Sequence, residues 1–328
     1  MGKKIIRGIS EDFAEAFKCS ILYRLYREHE DEIIIGIRND YLNMYYNSDS
    51  IAKIEYINPK GNDKKRIVCE IDEYYLYGSN SNKENKRVRV DPVEIYNKYP
   101  TIKELSKKKK KNEKITQSLL VLNNNRNQES NWYCLDIEYV KAFKDQKEKN
   151  STEFNARFDI IALSKQKPHK VALIELKYGT GAMGEKSGIR KHVSDFYSFI
   201  ENGYYESHLR QELIEILKSL SYVGISLPFN IPESNDLLAP EFYFITLDNN
   251  AKGKRSTPKQ VMAGYLFEEP RWGRTRKTSI NNVEKEHGDI TRKGNKFNAK
   301  FLFSKSTVDN MYIQDIIDGN YEERIVPD

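Results

Sequence analysis

Three short apolar runs in close succession constrain this chain most. Trp132–Val140 is aromatic and alternating, Phe158–Leu163 reads Phe-Asp-Ile-Ile-Ala-Leu, and Val171–Leu176 reads Val-Ala-Leu-Ile-Glu-Leu. Each reads as a strand. Ahead of them, Glu113–Leu122 carries Ile115, Leu119, Leu120 and Leu122 and reads as a helix. Behind them, Ser187 caps a helix whose apolar face is Ile189, Val193, Phe196, Tyr197 and Ile200. A second helix, about His208–Leu220, precedes a last strand, Glu241–Leu247. The order from about residue 101 to 248 is helix, three strands, helices, strand. It predicts an α/β chain of the α+β kind.

The flanking regions differ in character. Ser10-Glu11-Asp12 opens a helix with Phe13, Phe17, Ile21 and Leu25 at intervals of four. Four short strands follow: Glu32–Ile37, Tyr41–Tyr46, Ile51–Ile57 and Arg66–Ile71. Turn residues such as Asn47-Ser48-Asp49 punctuate them, which predicts a small antiparallel meander. A polar stretch from Gly78 to Lys86 marks a boundary, and Asp91-Pro92 caps the next helix. The expected organisation is an N-terminal α+β module over 1–90 for binding, regulation or oligomerisation. A core over 91–250 follows, and then a basic C-terminal extension over 251–328.

Composition narrows the class. A chain of 328 residues is long for one domain. Charged residues make up 31% and apolar ones 38%, but 22 Tyr and 14 Phe supply large surfaces to bury, so global disorder is not expected. No apolar window has the length of a membrane helix, and Met1-Gly2-Lys3-Lys4-Ile5-Ile6 has no apolar region after it, so neither a span nor a signal peptide is read. Cys19, Cys69 and Cys134 lie far apart without a CxxC, which excludes a disulfide framework, a four-cysteine zinc site and a cysteine-held cluster within one chain. The five histidines show no HExxH or HxH spacing. A reducing cytoplasm fits. The net charge of +6 is uneven. Lys252, Lys254, Arg255, Lys259, Arg271, Trp272, Arg274, Arg276 and Lys277 mix cations with an aromatic ring, a composition that grips phosphates or simply forms a solvated face.

Two anomalies carry chemistry. An acidic residue, any residue, then Lys occurs four times, and three copies lie in polar, turn-like stretches. Only Glu175-Leu176-Lys177 ends an apolar strand, where charges cost free energy unless they are paired or bind something. Strand alternation sends Glu175 and Lys177 to one face, roughly 7 Å apart along the strand. The second anomaly is Asp159, which opens the run Ile160-Ile161-Ala162-Leu163. A short turn from Lys165 to Lys170 predicts a hairpin that sets Asp159 across from Glu175. Adjacent carboxylates repel unless a cation sits between them, and oxygen ligands suit Mg2+ or Mn2+. Such a cation with a neighbouring lysine activates water for attack on phosphorus.

Arg157-Phe158-Asp159 followed by Ile174-Glu175-Leu176-Lys177 resembles the PD-(D/E)xK nuclease superfamily over about residues 101–250, which implies its restriction-endonuclease-like core of a central mixed sheet flanked by helices. Arg157-Phe158 stands where that pattern has proline. The resemblance implies Asp159, Glu175 and the Leu176 carbonyl as metal ligands and Lys177 as the catalytic lysine. It implies a further acid, for which Glu113, with Gln117 one turn on, and Glu138 compete. It also implies a polar residue on the helix after the third strand, from Lys191, His192 and Asp195. A lone histidine at a helix edge such as His192 is more often structural, and Lys191 with Asp195 is an ordinary surface pair. Gly179, Gly181, Gly184 and Gly188 lack the spacing of a P-loop and read as a loop at the mouth of the site.

The expected function is a metal-dependent phosphodiesterase, a DNA endonuclease of the restriction, repair or phage-defence kind, and the resemblance implies that it leaves a 5′-phosphate. The basic segment Lys252 to Lys277 would hold the substrate backbone. Double-strand cutting with one site per chain calls for a homodimer, a larger assembly or two cutting events, and partner proteins of a defence system fit the same picture. The alternatives are an RNA nuclease with the same site and a catalytically silent module that binds nucleic acid or protein.

Overall fold

The computed structural model describes residues 7–58, 64–78, 86–109, 112–143, 154–178, 189–247, 283–286, 289–292, 295–297, 299–303, 312–314 and 324–325. The chain is α+β, with seven α-helices and fourteen strands among the described residues. Its contacts group into two units: residues 1–122 with 210–234, and residues 123–209 with 235–328.

The first unit is built on a five-stranded antiparallel sheet in the order β1-β2-β3-β4-β5. Its strands are β1 (Ile34–Ile37), β2 (Tyr41–Tyr46), β3 (Asp49–Ile57), β4 (Arg66–Asp72) and β5 (Arg87–Val90). Asn47 and Ser48 both have positive φ, the backbone of the tight hairpin that joins β2 to β3. The expected single helix over 10–30 is two helices, α1 (Glu11–Lys18) and α2 (Ile21–Glu28). Ser20 makes the break. Its hydroxyl donates to the Phe17 carbonyl at 2.6 Å and accepts the Tyr23 N–H, so it caps α2. β5 lies at the end of the stretch expected to be a boundary. Its alternating Arg-Val-Arg-Val is too short to give a clear period, and pairing with β4 decides it.

The short α3 (Tyr74–Tyr77) precedes α4 (Pro92–Lys108), whose N-cap Asp91 accepts the Val93 N–H. α4 packs on α2, α3, β3 and β4. The expected boundary at residue 90 therefore does not coincide with the division of contacts, which falls within α5 (Asn112–Arg126). α7 (Arg210–Tyr222) also joins the first unit, with Leu213, Ile216, Leu217 and Leu220 buried and Ser219 accepting the Ile9 N–H. A cavity of about 460 Å3 on this unit is lined by Leu25, His29, Tyr96, Tyr99 and Lys103 among others. It includes none of the expected site residues.

The second unit holds a mixed sheet in the order β14-β13-β9-β8-β7-β6. The three strands predicted from the apolar runs are β6 (Trp132–Phe143), β7 (Phe154–Ser164) and β8 (His169–Tyr178), which pair as an antiparallel meander. α6 (Ile189–Glu201) follows, and β9 (Leu237–Leu247) pairs parallel to β8. The C-terminal region expected as an extension contributes to this unit. β13 (Ala299–Phe303) pairs parallel to β9, and β14 (Arg324–Ile325) pairs with β13. Strands β10 (Val283–Glu286), β11 (Asp289–Arg292) and β12 (Asn295–Phe297) form a small separate sheet. Among the described residues no helix is long and apolar enough to cross a membrane.

Candidate active site at a fork between two strands

The ladder between β7 and β8 runs from Leu163↔Val171 to Ile160↔Ile174 and ends there. Both strands continue. β7 stays paired to β6, through Tyr139↔Phe158 and Val140↔Arg157, while β8 stays paired to β9, through Glu175↔Phe244 and Lys177↔Thr246. The two inner strands therefore part at one point. One further step of the register sets Asp159 opposite Glu175, as the hairpin reading of the sequence requires. The Asp159 carboxylate takes over the ladder position. Its Oδ2 accepts the Leu176 N–H at 2.8 Å.

The charges at the fork are mostly removed from water. Glu175 is 3% exposed and Lys177 7%. The Lys177 Nζ donates to Glu175 Oε1 at 2.6 Å, so the two side chains share a face as alternation demands. The same oxygen lies 3.0 Å from His192 Nε2. Sequence offered His192 as one of three polar residues on α6, and the structure brings it onto Glu175. The helix explains how. His192, Phe196 and Phe199 fall at i, i+4 and i+7, one stripe of α6. Phe196 stacks on Phe242 with ring centroids 4.8 Å apart, and Phe199 meets Phe158 edge-on at 5.4 Å. Anchored over β7 and β9, the first turn of the helix is carried to Glu175.

Asp159 is half-buried by area, and burial holds its carboxyl well above the usual carboxylate range. The Glu175 charge pushes the same way, with a smaller push from Glu138, while Lys177 and the Leu176 N–H oppose it. A cation between the two carboxylates would relieve their repulsion, which the Lys177 ammonium already offsets in part. Asp159, Glu175 and the Leu176 carbonyl offer a hard-oxygen set that fits Mg2+ or Mn2+, which commonly take one or two protein carboxylates and leave other positions to water and substrate. Among the described residues no three His, Cys, Asp or Glu side chains form a ready metal cluster. Any such cation would rest on two carboxylates and a carbonyl.

No protein-family model, curated protein or solved structure matches the chain. What the fork can do is therefore judged from its own chemistry.

The other expected residues fall unevenly. Glu113 opens α5 in the first unit, whereas Glu138 belongs to the second. By register Glu138 falls between Ile137↔Ile160 and Tyr139↔Phe158, beside Asp159. Its φ of 54° is in the left-handed region, a strained setting for a glutamate in a strand. Nothing in the spacing of β6 announces that strain. Gln117 is 1% exposed, and among the described residues no donor reaches its side-chain carbonyl. Asp195 is half-buried on α6, and the Lys191 side chain lies outside the described residues. So do Lys252, Lys254, Arg255, Lys259, Arg271, Trp272, Arg274, Arg276 and Lys277, and the glycine loop from Gly179 to Gly188. Cys69 and Cys134 are buried, and burial pushes the Cys69 thiol up to about 12 and that of Cys134 upward as well. Neither supplies a thiolate near neutral pH.

Proposed function

We propose that the second unit hydrolyses phosphodiester bonds in nucleic acid, DNA in preference to RNA, as a metal-dependent endonuclease of the PD-(D/E)xK kind. One observation carries the proposal: β7 and β8 part where Asp159 and Glu175 face each other, with Lys177 held against Glu175. The order of β6, β7, β8, α6 and β9 around that point supports it. Asp159, Glu175 and the Leu176 carbonyl would hold Mg2+ or Mn2+, which neutralises charge on a phosphate and lowers the pKa of water. Lys177 places an ammonium where negative charge develops on the phosphate under attack. His192 fixes the Glu175 carboxylate from the helix side and restrains its rotamer. The C-terminal cations, the homodimer and a role in restriction, repair or phage defence belong to the same proposal.

The test is cleavage of plasmid, linear duplex, single-stranded DNA and RNA in Mg2+, Mn2+ or EDTA. Metal-dependent cutting by the wild type, lost in Asp159→Ala and Lys177→Ala, is the expected result. The preferred substrate decides DNA against RNA. Binding without cutting in all three proteins would replace the enzyme with a silent nucleic-acid-binding module.

A further inference from the structure

Beyond the fork, β6 and β7 run on as a two-stranded ribbon, paired from Tyr139↔Phe158 to Phe143↔Phe154. One side of it is buried, through Tyr139, Ala156 and Phe158. The other side is open at Val140 and Arg157. Arg157 is exposed, and its cross-strand partner Val140 is 49% exposed, among the most open large apolar side chains of the described residues. Arg157 precedes Asp159 by two residues, so the pleat sends both side chains to the same side of β7, about 7 Å apart. That is close to the separation of successive phosphates along a nucleic-acid strand. Among the described residues no hydrogen bond or ion pair holds the Arg157 guanidinium. Glu138, Asp159 and Glu175 all stand nearby in register, yet this cation is committed to none of them. A planar five-donor group in that setting suits an oxyanion supplied from outside.

We infer that Arg157 grips the phosphate next to the one under attack, with Val140 as the apolar surface beneath the adjoining sugar. The assignment rests on the nuclease reading and adds to it a substrate path: the strand lies along the open side of the ribbon and enters the fork past Arg157. Arg157 positions the strand and takes no part in bond making.

Labelled DNA binding in EDTA at several salt concentrations, together with cleavage kinetics in Mg2+, tests this in Arg157→Ala, Arg157→Lys and Arg157→Glu. Asp159→Ala serves as the control that binds without cutting. Arg157→Ala is expected to weaken binding roughly tenfold and to reduce the slope of log affinity against log salt by about one. KM is expected to rise by a similar factor while kcat stays within about twofold, the signature of lost uniform binding. Arg157→Lys should fall between, Arg157→Glu should bind weakest, and all three should melt with the wild type. Wild-type binding with an unchanged Kd and salt slope in Arg157→Ala overturns this assignment alone. A wild type that binds no nucleic acid overturns it together with the nuclease reading. A change of oligomeric state in Arg157→Glu with DNA binding intact makes the ribbon a protein contact and also overturns it.

Discussion

At the scale of the residue, Asp159 concentrates the tension of the site. Its protonated form is favoured in the native state because burial and Glu175 both disfavour a second negative charge. The stability contributed by that preference is fully present below the ordinary aspartate value near 3.9 and is lost as pH rises through the raised native value. Asp159→Asn keeps the shape and removes the ionisation. In EDTA it should melt a few degrees above the wild type at pH 8, on the scale of roughly 2–4 °C per kcal/mol, with the gap closing toward pH 4. Thermal melts at the two pH values check this, and equal Tm values at pH 8 would refute it. The residues behind this tension were legible because a carboxylate in an apolar strand is conspicuous in any sequence. The contact of His192 with Glu175 was not. It depends on how α6 lies on the sheet, which no local pattern encodes. The φ of Glu138 was equally hidden, since a strained backbone leaves no mark when the residue is not glycine.

At the scale of the element, sequence located most helices and strands and misjudged where they end. Asp91-Pro92 signalled the start of α4 because a side-chain cap and a fixed φ act locally. Phe13, Phe17, Ile21 and Leu25 suggested one helix, since a period of four continues across Cys19-Ser20 even though the backbone does not. Buried Leu22, rather than Ile21, shows that the apolar face restarts. The capping hydroxyl of Ser20 serves both sides of that break, donating to Phe17 and accepting from Tyr23. Ser20→Ala should cost about 1 kcal/mol, read as a lower denaturant midpoint at unchanged slope. An unchanged midpoint would mean that packing of Phe17 and Leu22 alone sets the break. β5 was missed for the opposite reason: four residues carry too little pattern, and their pairing partner lies across residues 73–86.

At the scale of the whole molecule, the chain leaves the first unit within α5, returns to it for α7 and leaves again. Sequence order therefore suggested three successive regions where contacts give two interleaved units. The mixed sheet of the second unit was foreseen, but its β13 was not, because a short strand far along the chain has no local sign of its parallel partner β9. Cation binding is the property that reports on this unit as a whole. If Asp159 and Glu175 hold Mg2+ or Mn2+, a cation concentration ten times its Kd should add about 1.4 kcal/mol of stability to the wild type. Calorimetry should show an upward Tm shift that vanishes in Asp159→Ala and in Glu175→Ala. A shift that survives both substitutions would place the cation elsewhere.

The parallel pairing of β9 with β13 also sets a clock on synthesis. Roughly fifty residues separate the end of β9 from the start of β13. A ribosome adding about 5–20 residues per second takes several seconds to make them. Through that interval β9 is an open sheet edge carrying Phe242, Phe244 and Ile245, ready to pair with whatever strand arrives first. A nascent chain of this protein is exposed to misassembly during that interval, and chaperone capture would protect it most if confined to the same few seconds.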